Sequence, residues 1–366
     1  MADTKRTPLH GLHEELGARM TPFAGWEMPL QFAGVMSEHL HTRAAASLFD
    51  VSHMGQVVLR ATDVAAALER LTPAAVIGLP EGRQRYALFT DENGGIIDDL
   101  MVANRGDHLF LVVNASRVDV DLAHMRENLP ELEVEHLTDR ALIALQGPGA
   151  ERALARIAPE VAGMRFMDAA VVPMSGGELW VSRSGYTGED GYEISVPAAE
   201  AEGLARSLLA MDEVEPAGLG ARDSLRLEAG LCLHGQDIDE TTTPIEADLA
   251  WSIQKARRRG GDRAGGFPGA ERILDELENG PARRRVGLLP DGRAPMRAGT
   301  ALYDGDVRVG EVTSGAYGPS IGRPMSMGYV DANRSAPGTA LTGEVRGKRL
   351  PATVTELPFR PATYKR

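Results

Sequence analysis

The sequence predicts an α+β protein that ends in an all-β region, and three observations support this prediction. Helical and strand patterns alternate through residues 1–282. Between Lys255 and Arg285 the composition shifts to arginine, glycine and proline around one short helical segment, which is typical of a connector. From Arg283 onwards, hairpin patterns follow one another without an intervening helix. We therefore expect residues 283–366 to form a β-barrel or sandwich.

Periodicity and turn residues locate the elements of the first region. Short helices are predicted at Glu38–Leu48 and Asp63–Leu71. Strands Tyr86–Thr90 and Gly95–Ala103 should form a hairpin, because Asn93-Gly94 supplies the left-handed conformations that its turn needs. The pattern further predicts a strand at His108–Asn114 and helices at Ser116–Asn128, Ala198–Met211 and Ala270–Leu277.

Two hairpins are predicted in the second region. Thr300–Tyr303 and Asp306–Thr313 flank an Asp-Gly turn. Ala340–Val345 and Arg349–Val354 flank an Arg-Gly-Lys turn. Short strands joined by such turns favour a barrel or a sandwich over a helical domain.

Charge and composition exclude several classes of protein. The 366 residues include 39 Lys and Arg against 52 Asp and Glu, a formal charge of −13, and an acidic protein repels nucleic acid. The longest apolar runs are far shorter than the ~20 residues of a membrane helix, so no membrane association is expected. A single cysteine, Cys232, excludes an internal disulfide. We expect a cytoplasmic bacterial protein, or a protein of the mitochondrial matrix if this is a processed eukaryotic form.

Common nucleotide and metal motifs are missing. The sequence has no Walker loop, no nucleophile elbow and no His-Glu-x-x-His motif. A Gly-Leu-Gly stretch has Asp223 at the position of the third glycine in a dinucleotide loop, where it would repel a pyrophosphate. The closest histidine pairs, His10 with His13 and His39 with His41, lack a nearby third ligand, so no metal site is expected.

Adjacent carboxylates, Asp98 and Asp99, interrupt a strand that is otherwise apolar on both faces. Alternation puts Asp98 on the face of Leu100 and Asp99 on the face of Met101. A strand that is covered on both sides should exclude an unpaired charge, because its burial is costly. The residues alone leave two interpretations open: a turn cap or ion pair, and an acid–base or cation-stabilising carboxylate in an apolar site.

Two further segments contain candidate binding residues. Ser184–Val196 has a glycine-rich loop that leads into a strand, on which Glu193 is either a solvated side chain or a ligand-binding one. Gly218–Gly230 has the pattern of a helix with Arg222 and Arg226 four residues apart on one face, near its positive N-terminal end. This pair suits either an anionic ligand or a structural ion pair.

These segments, together with Phe23–Leu30, Phe49–Gly55 and Cys232–Glu240, resemble the glycine cleavage T-protein family, the aminomethyltransferases of that system. The likeness runs from about Thr7 to Tyr364, and the motifs stand in the family's order. The resemblance implies three domains: two interlocked α+β units around a central folate channel, and a C-terminal β-barrel. It also implies transfer of a one-carbon unit from the aminomethyl-dihydrolipoyl arm of H protein to tetrahydrofolate, giving 5,10-methylenetetrahydrofolate and ammonia.

The resemblance further implies roles for single residues. Asp98, the first aspartate of Ile-Asp-Asp, matches the catalytic carboxylate, and Glu193 matches a folate-binding glutamate. The other substrate-binding or channel-lining positions would be Tyr86, Asn114, Arg222 and Tyr364. A carboxylate would stabilise the positive charge that develops as a folate nitrogen attacks the methylene carbon. Tetrahydrofolate would be the co-substrate and lipoylated H protein the partner, with no metal, flavin or nucleotide.

Two alternatives stay open. A folate-dependent demethylase of another small methylated substrate would share this fold. A non-transferase folate-binding protein of the iron–sulfur assembly type would carry a Lys-Gly-Cys-Tyr-x-Gly-Gln motif, which the surroundings of Cys232 do not match.

Overall fold

The computed structural model describes residues 4–174 and 176–366. Within them it contains the α-helices α1 His10–Glu15, α2 Val35–Ala44, α3 Val64–Leu68, α4 Val118–Asn128, α5 Ala150–Leu154, α6 Ala198–Leu209, α7 Leu219–Glu228 and α8 Ala270–Asn279. None of these helices is long and apolar enough to cross a membrane.

The described residues also contain twenty β-strands. These are β1 Lys5–Arg6, β2 Arg19–Phe23, β3 Trp26–Gln31, β4 Ala46–Asp50, β5 Gly55–Arg60, β6 Arg83–Thr90, β7 Ile96–Asn104, β8 Leu109–Val113, β9 Glu133–Leu137, β10 Arg140–Gln146, β11 Ala169–Met174, β12 Gly177–Ser182, β13 Gly191–Pro197, β14 Val214–Pro216, β15 Arg283–Pro290, β16 Ala301–Asp304, β17 Val307–Gly318, β18 Arg323–Asp331, β19 Ala340–Val345 and β20 Lys348–Thr355.

The strands form three open sheets and one closed barrel. The open sheets have the orders β1-β3-β2, β6-β7-β8-β5-β9 and β11-β12-β13-β10-β4-β14. The barrel closes in the order β15-β18-β17-β16-β19-β20. The predicted fold class, α+β with a C-terminal barrel, is confirmed. The division of the chain into residues 1–282 and 283–366 stays a prediction, although β15 begins at Arg283.

The five-stranded and six-stranded sheets face each other across a narrow cavity. Phe110 and Ala103 of the five-stranded sheet pack against Trp180 and Ala169 of the six-stranded one. Helices α4 and α6 cover the outer faces of these two sheets. The central strands therefore have one face toward a helix and the other toward the cavity, which explains why they are apolar on both sides.

The predicted hairpin of β6 and β7 is confirmed, and Gly94 has the left-handed backbone (φ 81°) that its turn requires. Both barrel hairpins are also confirmed, as β16–β17 and β19–β20. The prediction of a helix over Glu38–Leu48 is wrong in its second half. Helix α2 ends at Ala44, because the wholly buried run Ala46–Asp50 becomes a strand between β10 and β14.

Candidate active site

The cavity between the two sheets is the candidate active site, and β7 presents Asp99 to it. In the antiparallel pairing of β6 and β7, Leu88 lies opposite Asp99 and Tyr86 lies opposite Met101, so these four side chains share one face. Met101 lines the cavity together with Glu193 of β13. Asp99 therefore lies on the face of β7 that turns toward the sheet of Glu193.

Asp99 is held by two hydrogen-bond donors. The Tyr86 hydroxyl donates to Oδ2 at 3.1 Å, and the Asn114 side-chain amide donates to Oδ1 at 2.8 Å. Burial, with the neighbouring charge of Asp98, raises the pKa of Asp99 to about 6, and the nearby His234 opposes this shift. A carboxyl group with such a pKa can accept or release a proton close to neutral pH.

Asp98 faces the opposite way, and this corrects the expectation that it faces the channel. It pairs with Phe89 in the hairpin and lies on the face of Leu100, toward α4. Its side chain is fully buried and accepts hydrogen bonds from the Asn114 backbone N–H at 3.1 Å and from the Asn114 amide at 2.8 Å. Strand alternation allows only one of the two aspartates to reach the cavity, and that one is Asp99.

Glu193 reaches the cavity from β13, where it pairs with Ala144 of β10 and Ser182 of β12. The Ser184 hydroxyl donates to its Oε2 at 3.5 Å. Burial raises the pKa of the Glu193 carboxyl, while the positive charge of Arg222 lowers it. This placement favours the interpretation of Glu193 as a ligand-binding residue over that of a solvated strand residue.

Helix α7 brings Arg222 to the site. The helix starts close to β3, because Gly218 has no side chain: a Cβ there would lie 2.4 Å from the carbonyl oxygen of Leu30. The Arg222 guanidinium lies 4.8 Å from the centre of the Tyr186 ring. Among the described residues, its buried Nη1 has no hydrogen-bond partner, and burial lowers the pKa of the group. An unpaired donor of this kind is available to a ligand.

The Tyr186 ring is fixed by the glycine-rich loop. A Cβ on Gly185 would lie 1.8 Å from Oε1 of Gln146, so only glycine lets the loop approach β10 this closely. The Tyr186 hydroxyl donates to the carbonyl oxygen of Cys232. The loop thus sets one wall of the site beside Arg222.

The site combines two carboxyl groups, Asp99 and Glu193, with one guanidinium group, Arg222. Carboxylates in this setting can accept hydrogen bonds from adjacent N–H groups, and Asp99 can also exchange a proton. In the part of the chain that the structure describes, no group of three or more His, Cys, Asp or Glu side chains is arranged to hold a metal ion. The arrangement is suited to a nitrogen-rich organic ligand.

Two family models match the chain. The GCVT N-terminal domain matches residues 9–257, and the glycine cleavage T-protein C-terminal barrel domain matches residues 283–360. The chain belongs to the glycine cleavage T-protein family. The mitochondrial aminomethyltransferase of Dictyostelium discoideum is 44% identical over 385 residues, covering 100% of this chain and 94% of the relative. That of Gallus gallus is 46% identical over 371 residues, covering 98% and 93%.

A solved structure of this T-protein family has the same fold. The crystal structure of the glycine cleavage system aminomethyltransferase T from Bartonella henselae superposes with a TM-score of 0.92 at 42% identity. The match covers 99% of this chain and 100% of the other. The similar curated relatives are named as mitochondrial proteins, so the expected cytoplasmic location stays a prediction.

The T-protein resemblance also assigned Tyr364 to the substrate site. The structure places its ring against Phe166, stacked with 4.0 Å between the ring centres. The preceding Thr363 donates its backbone N–H to the carbonyl oxygen of Gly188, in the glycine-rich loop. Tyr364 thus lies beside that loop, outside the cluster of Asp99 hydrogen bonds, and its role in binding stays a prediction.

Three residues that contact Tyr86, Asn114 or Arg222 are not predicted as site residues from the sequence: Asp99, Tyr186 and Trp251. For Asp99 the signal was present, because the hairpin register puts it on the face of Tyr86. For Tyr186 the flanking glycines were a weaker signal. No motif indicates Trp251. The residue is 58% exposed, and the centre of its ring lies 5.1 Å from that of the Tyr86 ring. Its contact with Tyr86 depends on a fold that brings distant segments together.

Proposed function

We propose that this protein is the aminomethyltransferase of a glycine cleavage system. It takes the one-carbon unit from the aminomethyl-dihydrolipoyl arm of H protein and transfers it to tetrahydrofolate, giving 5,10-methylenetetrahydrofolate and ammonia. The observation that carries this proposal is the arrangement of three groups in a chain of the T-protein family: Glu193 lines the cavity, Asp99 lies on the face of β7 that turns toward it, and the charge of Arg222 acts on Glu193.

Folate recognition is assigned to Glu193 and Arg222. The amino-pyrimidine edge of a pterin presents adjacent N–H donors, which one carboxylate can accept as a pair. Glu193 is half-buried, lines the cavity and lacks a strong donor of its own, since its hydrogen bond from Ser184 is 3.5 Å long. The free Nη1 of Arg222 can donate to an acceptor of the same ligand. Both groups gain partners when folate binds, which favours binding.

Asp99 is assigned the catalytic role that the motif gave to Asp98. The transfer joins the methylene carbon to two folate nitrogens, N5 and N10, and breaks its bonds to the amine and to sulfur; the two folate N–H protons leave with these groups, as ammonia and as the dihydrolipoyl thiol. Positive charge develops at the reacting carbon and nitrogen, and a fixed carboxylate facing them lowers the energy of that state. Tyr86 and Asn114 hold both Asp99 oxygens, so the group needs little reorganisation during the reaction.

The proposal is tested by incubating the protein with tetrahydrofolate and aminomethylated H protein. Methylenetetrahydrofolate and ammonia should form in equal amounts, and neither should form without tetrahydrofolate. Sarcosine and a sulfonium methyl donor, each supplied without H protein, serve as parallel substrates. A product from one of these alone would identify a folate-dependent demethylase instead.

The same assay separates a transferase from a protein that only binds folate. Tight binding of tetrahydrofolate in a calorimetric titration, without turnover of any donor, would contradict the proposed transfer and favour the non-transferase alternative. Loss of turnover in Asp99→Asn, with folate binding preserved, would place the chemistry in this cavity.

A further inference from the structure

A buried arginine of α2 connects two elements of the site. The Arg43 side chain is 6% exposed and lies between helix α7 and the glycine-rich loop that precedes β13. Its Nη1 donates to the carbonyl oxygen of Thr187 at 2.7 Å and to Oε1 of Glu189 at 3.0 Å, both in the loop. Its Nη2 donates to Oε2 of Glu228, the last residue of α7, at 2.9 Å and to the carbonyl oxygen of Leu225 at 3.4 Å. One guanidinium group therefore binds the loop and the helix together.

The loop and the helix carry the two side chains that form one wall of the site. Tyr186 lies in the loop, and Arg222 lies near the start of α7, with its guanidinium 4.8 Å from the centre of the Tyr186 ring. The loop also approaches the other end of the helix, because a Cβ on Gly188 would lie 2.8 Å from the Cβ of Ala229. The contact between Tyr186 and Arg222 therefore depends on the distance between these two backbones.

The ion pairs of Arg43 fix that distance. The side chains of Glu189 and Glu228 are 3% and 0% exposed, and a buried ion pair is costly to break, since one charge is then left unpaired. Burial raises the pKa of Glu228, but His39 and Arg43 lower it to about 2, so the group is an anion. A planar guanidinium can donate to acceptors on two sides at once, whereas the ammonium of lysine is a compact point charge.

We propose that Arg43 is a positioning residue for the ligand: by joining the glycine-rich loop to α7, it holds Tyr186 and Arg222 at the separation that folate binding requires. This inference rests on the proposed function, because that function makes folate the ligand of Arg222. The hydrogen bonds of the Arg43 guanidinium go to the loop, to α7 and to Ser320 of the barrel, so it acts through other residues. A wall that is ordered in advance lowers the cost of binding.

The role in binding is tested with Arg43→Lys, which keeps the charge but cannot span both elements. The Kd for tetrahydrofolate should rise about tenfold, because the loop must then be ordered by the ligand. The kcat at saturating tetrahydrofolate should fall much less, since the wall binds ground state and transition state alike. Arg257→Lys is the matched control: Arg257 is also buried and donates to Glu69, in the connector. It should lower Tm without changing Kd. An unchanged Kd in folded Arg43→Lys, or an equal rise in both variants, would overturn the proposal.

A second measurement does not depend on the ligand. Hydrogen–deuterium exchange of loop residues 184–190 should be faster in Arg43→Ala than in the wild type. Guanidinium chloride at millimolar concentration, far below its denaturing range, should slow this exchange and restore folate binding, because it can occupy the space left by the side chain. Ammonium chloride should do neither. Unchanged exchange in folded Arg43→Ala would contradict the positioning role. A wild-type protein that binds no tetrahydrofolate would contradict the proposed function instead, and the exchange result would still show whether Arg43 holds the loop.

Discussion

Each face of β7 has one aspartate, and the two carboxyl groups lie in different environments. Asp98 and Asp99 are adjacent, and Asn114 donates a hydrogen bond to both. Asp98 lies among apolar side chains under α4, with its oxygens satisfied inside the protein, whereas Asp99 faces the cavity and Glu193. The difference shows that a buried charge serves the fold when protein groups satisfy it. When it faces a space left for a ligand, it serves the chemistry.

Helix α7 shows the same contrast between two arginines. Arg226 is fully buried and donates to Asp237 at 2.7 Å and to Ser314 of the barrel at 2.8 Å. Arg222, one turn earlier, has a buried Nη1 without a partner among the described residues. One arginine therefore joins the barrel to the rest of the chain, and the other is left for a ligand. Four predictions test this difference between groups that the protein itself satisfies and groups that are available to a ligand.

The largest effect is expected at Asp99. Asp99→Asn keeps the size of the side chain but removes its charge, so kcat should fall by about 10²- to 10⁴-fold. Folate affinity should change much less, because the lost interaction strengthens mainly in the transition state. Single-turnover rates and a folate titration on the same preparation measure both quantities.

Asp98→Asn is the matched control for this change. It should lower the free energy of unfolding, since the new amide has one acceptor oxygen where Asp98 has two that accept from Asn114, while the kcat of the folded protein falls less than in Asp99→Asn. A larger loss of kcat in Asp98→Asn than in Asp99→Asn would reverse the roles of the two faces. The original motif assignment would then stand.

A smaller effect is expected at Glu193. Glu193→Gln removes the charge that accepts the pterin N–H groups and should weaken tetrahydrofolate binding by about 1.5–3 kcal/mol, or roughly 10- to 150-fold in Kd. Glu133→Gln, at an exposed strand position, is the control and should leave Kd unchanged. Equal affinities for all three proteins in calorimetry would return Glu193 to the role of a solvated strand residue.

Substitutions of the two arginines of α7 should have different effects: one should weaken folate binding, and the other should lower the stability of the protein. Arg222→Lys keeps the charge but loses the planar donors, so Kd for tetrahydrofolate should rise about tenfold with little change in Tm. Arg226→Lys should instead lower the free energy of unfolding, by about 2–4 kcal/mol, because it breaks buried bonds to Asp237 and Ser314. A fall in Tm for Arg222→Lys, with unchanged folate affinity, would make Arg222 structural as well.

The sequence was sufficient for the barrel and for most helices, and it identifies Glu193 and Arg222 as candidates whose roles in binding stay predictions. It also contained the register that brings Tyr86 and Asp99 to one face, so Tyr86 and Asp98 could not both line the channel. The motif match selects Asp98 because it compares residue types and does not determine on which side of a strand a residue lies.

Other features depend on contacts between distant segments, and local patterns do not contain them. Arg226 differs from Arg222 because Ser314, 88 residues later, lies beside it. Trp251 reaches Tyr86 in the same way. Such pairings depend on the tertiary packing and become visible only with the structure.

The smallest effect is expected at Tyr86, whose hydroxyl donates to Oδ2 of Asp99. This hydrogen bond favours the ionised form and lowers the pKa of Asp99. With the hydrogen bond in place, burial and the charge of Asp98 still raise that pKa to about 6. Tyr86→Phe keeps the ring beside Trp251 but removes the donor, so the pKa of Asp99 should rise by less than about one unit. Since the ionised carboxylate is the active form, the acid limb of kcat/KM should move to higher pH. The rate should fall a few-fold near pH 6 and hardly at pH 8. A limb that moves to lower pH, or a uniform loss at every pH, would mean that Tyr86 acts by some means other than its hydrogen bond to Asp99.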